Sequence, residues 1–231
     1  MQVFEGRHQT RFFDHENIPS KELIEKVLHK AHELVPSKQN LMPYVVKILG
    51  PEHTEIKKDI YELACEVEYP DVDLRNKKRL DKIKLYEDNN FNLNNRFPDG
   101  NSQLFAPYLL LLIPRKPLSN STLAESYKKM DSWNKDAHRL SPNIAKVEIG
   151  MFSVILTGVA IEEGLNISYT ACLNGEKLRR KYDWLKGYVE EPTLALSLGY
   201  KRPDVSGIQR NYRRKLKGED KPEKQSTFEW L

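Results

Sequence analysis

Cysteine is scarce in this chain: of 231 residues, two are cysteine, Cys65 and Cys172, far apart in sequence. That count excludes a disulfide-stapled scaffold and leaves reduced thiols, the state expected in a cytoplasmic protein. Long hydrophobic runs are lacking as well. The longest uninterrupted one, Tyr108 to Ile113, has the length of a strand and falls well short of the roughly 20 residues a membrane helix needs. The first residues hold no apolar signal core and include acidic Glu5, so a soluble chain without membrane partners is expected.

Several catalytic signatures are also missing. No G-x-G-x-x-G is present, which argues against a Rossmann dinucleotide site, and no G-x-x-x-x-G-K-[ST] for a nucleoside triphosphate. The six histidines do not group with cysteines at metal-ligand spacing; His29 and His32, three apart, read as solvent-facing helix positions, and no metal site is expected. There is no G-x-S-x-G nucleophile elbow. Cys172 lies in an apolar strand pattern and reads as packing rather than as a nucleophile. Neither an internal repeat nor a domain boundary is visible, so residues 1–231 read as one domain with a basic extension from about residue 201.

What is present is an ordinary core-forming composition, 39% hydrophobic and 30% charged, in a chain long enough to bury a core. Ser20 to Val35 is a helix: Ser20 is an N-cap after Pro19, and Leu23, Ile24, Val27, Leu28, Ala31 and Leu34 recur at helical spacing until Pro36. Tyr44 to Leu49 reads as a strand closed by Gly50-Pro51, and a second helix is expected from about His53 to Val67. A charged helical stretch, Arg75 to about Tyr86, precedes the segment Asp88 to Gln103. Its six asparagines, with Pro98 and Gly100, favour irregular backbone. Pro107 to Ile113 has the pattern of a strand buried on both faces.

Ser141-Pro142 opens the longest helix, apolar nearly all round from Ile149 to Ile161, which places it in a core or at a subunit interface. Gly164 ends it. A strand pattern follows over Leu165 to Cys172, then a short helix from Glu176 to about Tyr182 and a last strand, Leu194 to Leu198. Helices interleaved with four short strands imply an α+β or three-layer sandwich.

The net charge of +4 is unevenly distributed: seven basic residues between Lys201 and Lys217 face Asp204 alone. The tail is either solvated, or a nucleic-acid contact, or a set of arginines for a phosphate-bearing cofactor. Two other polar groups flank the first helix, namely Arg7-His8-Gln9-Thr10-Arg11 and the proline-bounded loop Pro36 to Tyr44.

Their order resembles the FMN-dependent nitroreductase family over nearly the whole chain, from Arg7 to about Lys215. The matching pieces are Arg7 to Phe13, the helix start at Ile18, Pro19 and Leu23, the Pro36 to Tyr44 loop, Ala106-Pro107, Glu148 to Gly150, Gly164-Leu165 and Gly199-Tyr200. The resemblance implies a homodimeric three-layer sandwich with a central mixed or antiparallel sheet flanked by helices. It implies FMN in a cleft made by both subunits, NADPH or NADH as electron donor, and a small electron-poor acceptor, in a ping-pong cycle with no catalytic side chain. Carried over by position, Arg7, His8, Gln9 and Arg11 would hold the phosphate and flavin edge. Pro36, Ser37, Lys38, Asn40 and Gln103 would line the cofactor, and Thr170, Ala171 and Cys172 would offer backbone donors near its reactive nitrogen. Arg210, Arg213 or Arg214 would complete the phosphate site. The segment Asp88 to Gln103 matches no family motif; it is expected to flank the flavin and shape acceptor choice, with Phe91, Phe97 or Phe105 stacking on the acceptor. Gln9, Met42 and Tyr44 depart from the family pattern, which has a small hydroxyl residue, a glutamine and a tryptophan there. A flavin-binding chain without turnover and a nucleic-acid-binding chain are the alternatives.

Overall fold

The structure, a computed structural model, describes residues 9–37, 41–68, 101–115, 142–188 and 190–203. The expected helix from Arg75 to Tyr86 and the asparagine-rich segment as far as Gly100 lie outside these residues. Helix α1 (Lys21–Leu34) starts where the Ser20 hydroxyl accepts the Leu23 N–H at 3.2 Å, and buries Ile24, Val27 and Ala31. Strand β1 (Tyr44–Leu49) follows, then helix α2 (Thr54–Glu68). A short 3₁₀ turn, Ser102–Phe105, leads through Pro107 into β2 (Tyr108–Pro114). Helix α3 (Pro142–Glu162), β3 (Asn166–Thr170), α4 (Gly175–Lys181), a second 3₁₀ turn over Asp183–Leu185 and β4 (Leu194–Gly199) complete the order.

The four strands form one antiparallel sheet in the order β1-β2-β4-β3. Strand β2 is central, and all seven of its residues are buried. Alternation along it builds two cores. Tyr108, Leu110 and Leu112 meet α1 and α3, with Ile24, Val27, Phe152 and Leu156. Leu109, Leu111 and Ile113 meet the other layer, with Ile60, Tyr61, Ala64, Leu178 and Leu185. Each of these fully buried aliphatic side chains contributes about 1.5–3 kcal/mol by leaving water, which explains the uninterrupted apolar run. The fold is therefore the expected three-layer α+β sandwich.

Helix α3 ends on Gly164, at φ +76, where Leu165 N–H reaches back to the Ala160 carbonyl at 2.8 Å. That left-handed cap is open to glycine at no steric cost. The strand expected from Leu165 to Cys172 is shorter in the structure, because Thr170 pairs with Ala195 next to the start of β4. Over Ile144–Glu162, α3 is also long and apolar enough to cross a membrane, at mean hydropathy 1.8, although no unbroken run reveals it. Half of that stretch is buried against the sheet and α1, which accounts for its composition. On the opposite side Val147 and Val154 are 62% and 56% exposed. With the partly buried Met151 they form an apolar stripe at i, i+4 and i+7.

Candidate functional site

The segment before α1 runs along the free edge of β3 and crosses the end of β4. Thr10 N–H donates to the Ile167 carbonyl (3.5 Å), Asp14 N–H to Tyr200 (2.8 Å), and Arg202 N–H to Phe12 (3.3 Å). A bridge pairs Phe13 with Lys201. The crossing is close: a Cβ on Gly199 would lie 3.0 Å from both the Phe13 ring and Pro107, tighter than an ordinary van der Waals contact. Thr10, Phe12 and Phe13 turn inward and are buried.

Gln9 donates its side-chain amide to the Tyr169 carbonyl at 3.1 Å. Arg11 donates from Nη1 to Gln103 Oε1 at 3.0 Å. A guanidinium has no acceptor, so this contact fixes the Gln103 amide with its oxygen towards Arg11. Its nitrogen then donates to Thr170 Oγ1 (2.7 Å) and Asn101 Oδ1 (3.1 Å). Gln103 is wholly buried, and both ends of its amide have protein partners. Gln103 therefore sets the direction of Arg11. Immediately past Thr170, Ala171 and Cys172 are exposed, and Cys172 is a free thiol.

Arg11 and Arg202 line one small pocket together with His15, Ser102, the rings of Phe12, Phe13 and Phe105, and Ala106. Burial holds the His15 pKa below its usual value, and the charges of Lys57 and Arg202 push the same way against Asp14. The pocket's charged donors are cations with N–H groups, a donor set suited to phosphate oxygens or to an electron-rich ring edge.

A second group of residues follows α1. The Ser37 hydroxyl accepts the Met42 N–H at 3.0 Å and donates to Glu148 Oε2 at 2.8 Å. Met42 adopts φ 43, and Arg115 N–H donates to the Pro43 carbonyl at 2.9 Å. Glu148, on α3, is 4% exposed. Burial, with the Glu148 charge adding to it, raises the Tyr44 phenol pKa above its ordinary value.

Register relates the two groups. Tyr44 pairs with Pro114, Leu112 with Leu194, and Thr170 with Ala195, so the Ser37 loop and the Thr170–Cys172 turn open at the same end of the sheet. They leave from opposite edge strands, three strand spacings or about 14 Å apart. No single side chain spans that distance; an elongated ligand, or a second copy of the chain, does.

Among the expected site residues, Arg11, Gln103 and Thr170 meet directly, with Gln9 on the neighbouring Tyr169 carbonyl and Ala171 and Cys172 adjoining; Pro36 and Ser37 form the separate group. Phe105 is the one expected acceptor-stacking residue among the described residues. It is 4% exposed, with its ring 4.8 Å from that of Tyr61, and it lines the same pocket as Arg11 and Arg202. Arg7, His8, Lys38, Asn40, Phe91, Phe97, Arg210, Arg213 and Arg214 lie outside the described residues. Asn101 and Glu148 were missed by sequence reasoning. The available signal for Glu148 was a lone acid between Val147 and Ile149 in an apolar helix. Among the described residues no cluster of three or more His, Cys, Asp or Glu could hold a metal ion.

Comparison with known proteins gives a consistent result. The model of the family described as "Nitroreductase family" matches residues 4–200. No curated protein matches the sequence. Among solved structures, a point variant of the FMN and NADPH-dependent nitroreductase NfnB from Sphigopyxis sp. strain HMH superposes with TM-score 0.61 at 16% identity, over 100% of this chain and 97% of that one. A nitroreductase with bound FMN from Bacteroides fragilis gives TM-score 0.55 at 12% identity, over 87% of each chain. One with bound FMN from Desulfitobacterium hafniense gives 0.52 at 16% identity, over 87% and 88%. At such identities the likeness concerns the fold.

Proposed function

The chain belongs to the nitroreductase family, and on that premise we propose that it is an FMN-dependent oxidoreductase. It passes two electrons from NADPH or NADH to a small electron-poor acceptor such as a nitroaromatic or a quinone, and works as a homodimer. The observation carrying this reading is the junction of Gln9 and Arg11 with Gln103 and the end of β3. It joins a motif near the start of the chain to the turn from which Ala171 and Cys172 present backbone N–H groups.

Arg7, His8, Gln9 and Arg11, with one of Arg210, Arg213 and Arg214, hold the phosphate and flavin edge. Pro36, Ser37, Lys38 and Asn40 flank the ring. When bound, FMN takes a hydride from the nicotinamide and hands two electrons to the acceptor. The role of the chain is electrostatic and positional. The Arg11 guanidinium is permanently charged and held in direction by Gln103, so it favours any negative charge that gathers beside it without reorganising. Without a proton-transferring dyad, the residues select by charge and shape.

The visible spectrum of the purified protein tests this, recorded before and after NADPH or NADH is added without oxygen. The expected outcome is a flavin spectrum that bleaches, with Arg11→Ala retaining at most about a tenth of the flavin affinity, as for a lost charge-assisted contact. A colourless protein that also refuses added FMN would sink the reading.

A further inference from the structure

We propose that Lys47, Arg115 and Arg179, gathered about Tyr188, form a subsite for a phosphate monoester, the 2′-phosphate that distinguishes NADPH from NADH. The anion subsite stands on these residues alone; its assignment to the electron donor rests on the flavin reading above.

Around α4 the neighbouring cations have acids beside them. Arg180 pairs with Glu176 and Lys181 with Asp59, and in the turn that follows Lys186 pairs with Asp183. Glu190, two residues beyond Tyr188, is taken by Lys146 on α3 at 3.1 Å. Arg179 is different. Its Nη2 donates to the Tyr188 carbonyl at 2.9 Å, and among the described residues no carboxylate pairs with it. Lys47, on β1, holds its ammonium 5.4 Å from the centre of the Tyr188 ring, again with no acid partner among the described residues. Arg115 follows β2 and spends Nε on the Met42 carbonyl at 3.5 Å. Burial lowers its pKa, and the groups acting against this are the phenols of Tyr188 and Tyr44, not a carboxylate.

All three residues are half-buried. Like charges held together and partly withdrawn from water raise one another's energy. The Tyr188 ring gives Lys47 a weak cation–π contact, and one carbonyl satisfies one of the five Arg179 donors, but neither supplies a negative charge. An anion completes such a group. Two guanidinium forks and an ammonium suit the three terminal oxygens of a phosphate monoester better than the two of a carboxylate. The Arg115 N–H donates to the Pro43 carbonyl at 2.9 Å, so the subsite starts at the end of the sheet where Ser37 and Thr170 also lie. In a nicotinamide dinucleotide the 2′-phosphate is on the half remote from the reacting ring, so a donor at the flavin extends outward to such a group.

Calorimetric titration of the protein as purified with adenosine 2′,5′-bisphosphate, adenosine 5′-monophosphate and inorganic phosphate tests the subsite. The NADPH-to-NADH ratio of kcat/KM in the FMN-loaded enzyme tests its use. The bisphosphate is expected to bind about tenfold or more tighter than either of the others. Lys47→Met and Arg179→Gln each weaken it about tenfold to a hundredfold, the scale of one lost hydrogen bond to a charged group, and lower the ratio by a similar factor. Arg180→Gln removes the same charge from the same helix at an acid-paired position, and moves both readouts by less than about twofold. An effect equal to that of Arg179→Gln would mean long-range attraction alone and overturn the proposal. So would a bisphosphate bound no tighter than the monophosphate, or variants that bind it like wild type. Inorganic phosphate bound as tightly as the bisphosphate would mark a free-anion site and overturn the donor assignment. Should one variant fail to fold, the other carries the test. The titrations need no flavin: a protein that takes up no FMN overturns the flavin reading and the donor assignment with it, while bisphosphate binding decides the subsite by itself.

Discussion

Lys57 is 2% exposed and donates from its ammonium to the carbonyls of Ala106 and Pro107, both at 2.8 Å. Burial pushes its pKa down to about 8, against a smaller opposing pull from Glu52. In the folded chain this amine therefore loses its proton near pH 8, and in the unfolded chain near 10.5. Between those values the unfolded chain binds more protons, so stability rises with pH. The penalty, complete below pH 8 and relieved towards 10.5, is roughly 3 kcal/mol at 1.36 kcal/mol per pKa unit. Above about pH 10 the buried phenols act the other way, because burial raises the pKa of Tyr44 and Tyr108 and the unfolded tyrosines ionise first. Urea denaturation of wild type and Lys57→Met from pH 7.5 to 10 should show wild type gaining on the variant; parallel profiles would refute the assignment. Nothing local marks this residue. Lys57 and Lys58 are neighbours of the same type, yet Lys58 pairs with Glu55 at the surface and Lys57 is enclosed. The helix supplies the rotation between them, and only packing decides which side faces inward.

At the scale of elements, local chemistry sets most boundaries. Ser20 caps α1 through the Leu23 N–H, so Ser20→Ala is expected to cost about 1 kcal/mol and to lower the thermal midpoint by a few degrees. An unchanged midpoint would mean that the exposed α1 end is held by packing instead. The ion pairs Lys26–Glu163 and Lys30–Glu162, at 2.6 and 3.0 Å, tie α1 to the end of α3 but are largely solvated and add little. Strand β1 was legible because it lies between Pro43 and Gly50-Pro51, and β2 because a strand covered on both faces needs no polar alternation. The extent of β3 was not legible. It stops at Thr170 because its partner does, and a partner's start is not written in the strand's own residues.

At the scale of the whole molecule, the outer stripe of α3 leaves Val147 and Val154 open to water, with Met151 between them. A second copy of the chain is the proposed cover, and the flavin cleft is proposed to lie between the copies. If that cover is a second copy, Val147→Asp with Val154→Asp converts a dimeric wild type to a monomer in sedimentation velocity and weakens FMN binding; a monomeric wild type, or a dimer that persists in the variant, would refute this interface. Sequence alone determined the order and type of the described helices and strands, because helical and strand periods, caps and proline stops act between residues a few positions apart. It also supplied the ingredients of the candidate site, with Arg11 in the segment before α1, Ser37 just after that helix and Thr170 at the end of β3. Only the tertiary structure decided which of them meet. Arg11 lies 92 residues from Gln103, and Gln103 lies 67 from Thr170. The order β1-β2-β4-β3 brings these three together and sends Ser37 to the far edge, onto Glu148. Sheet order and register are long-range properties, set by burying both faces of β2 at once, and no local pattern encodes them.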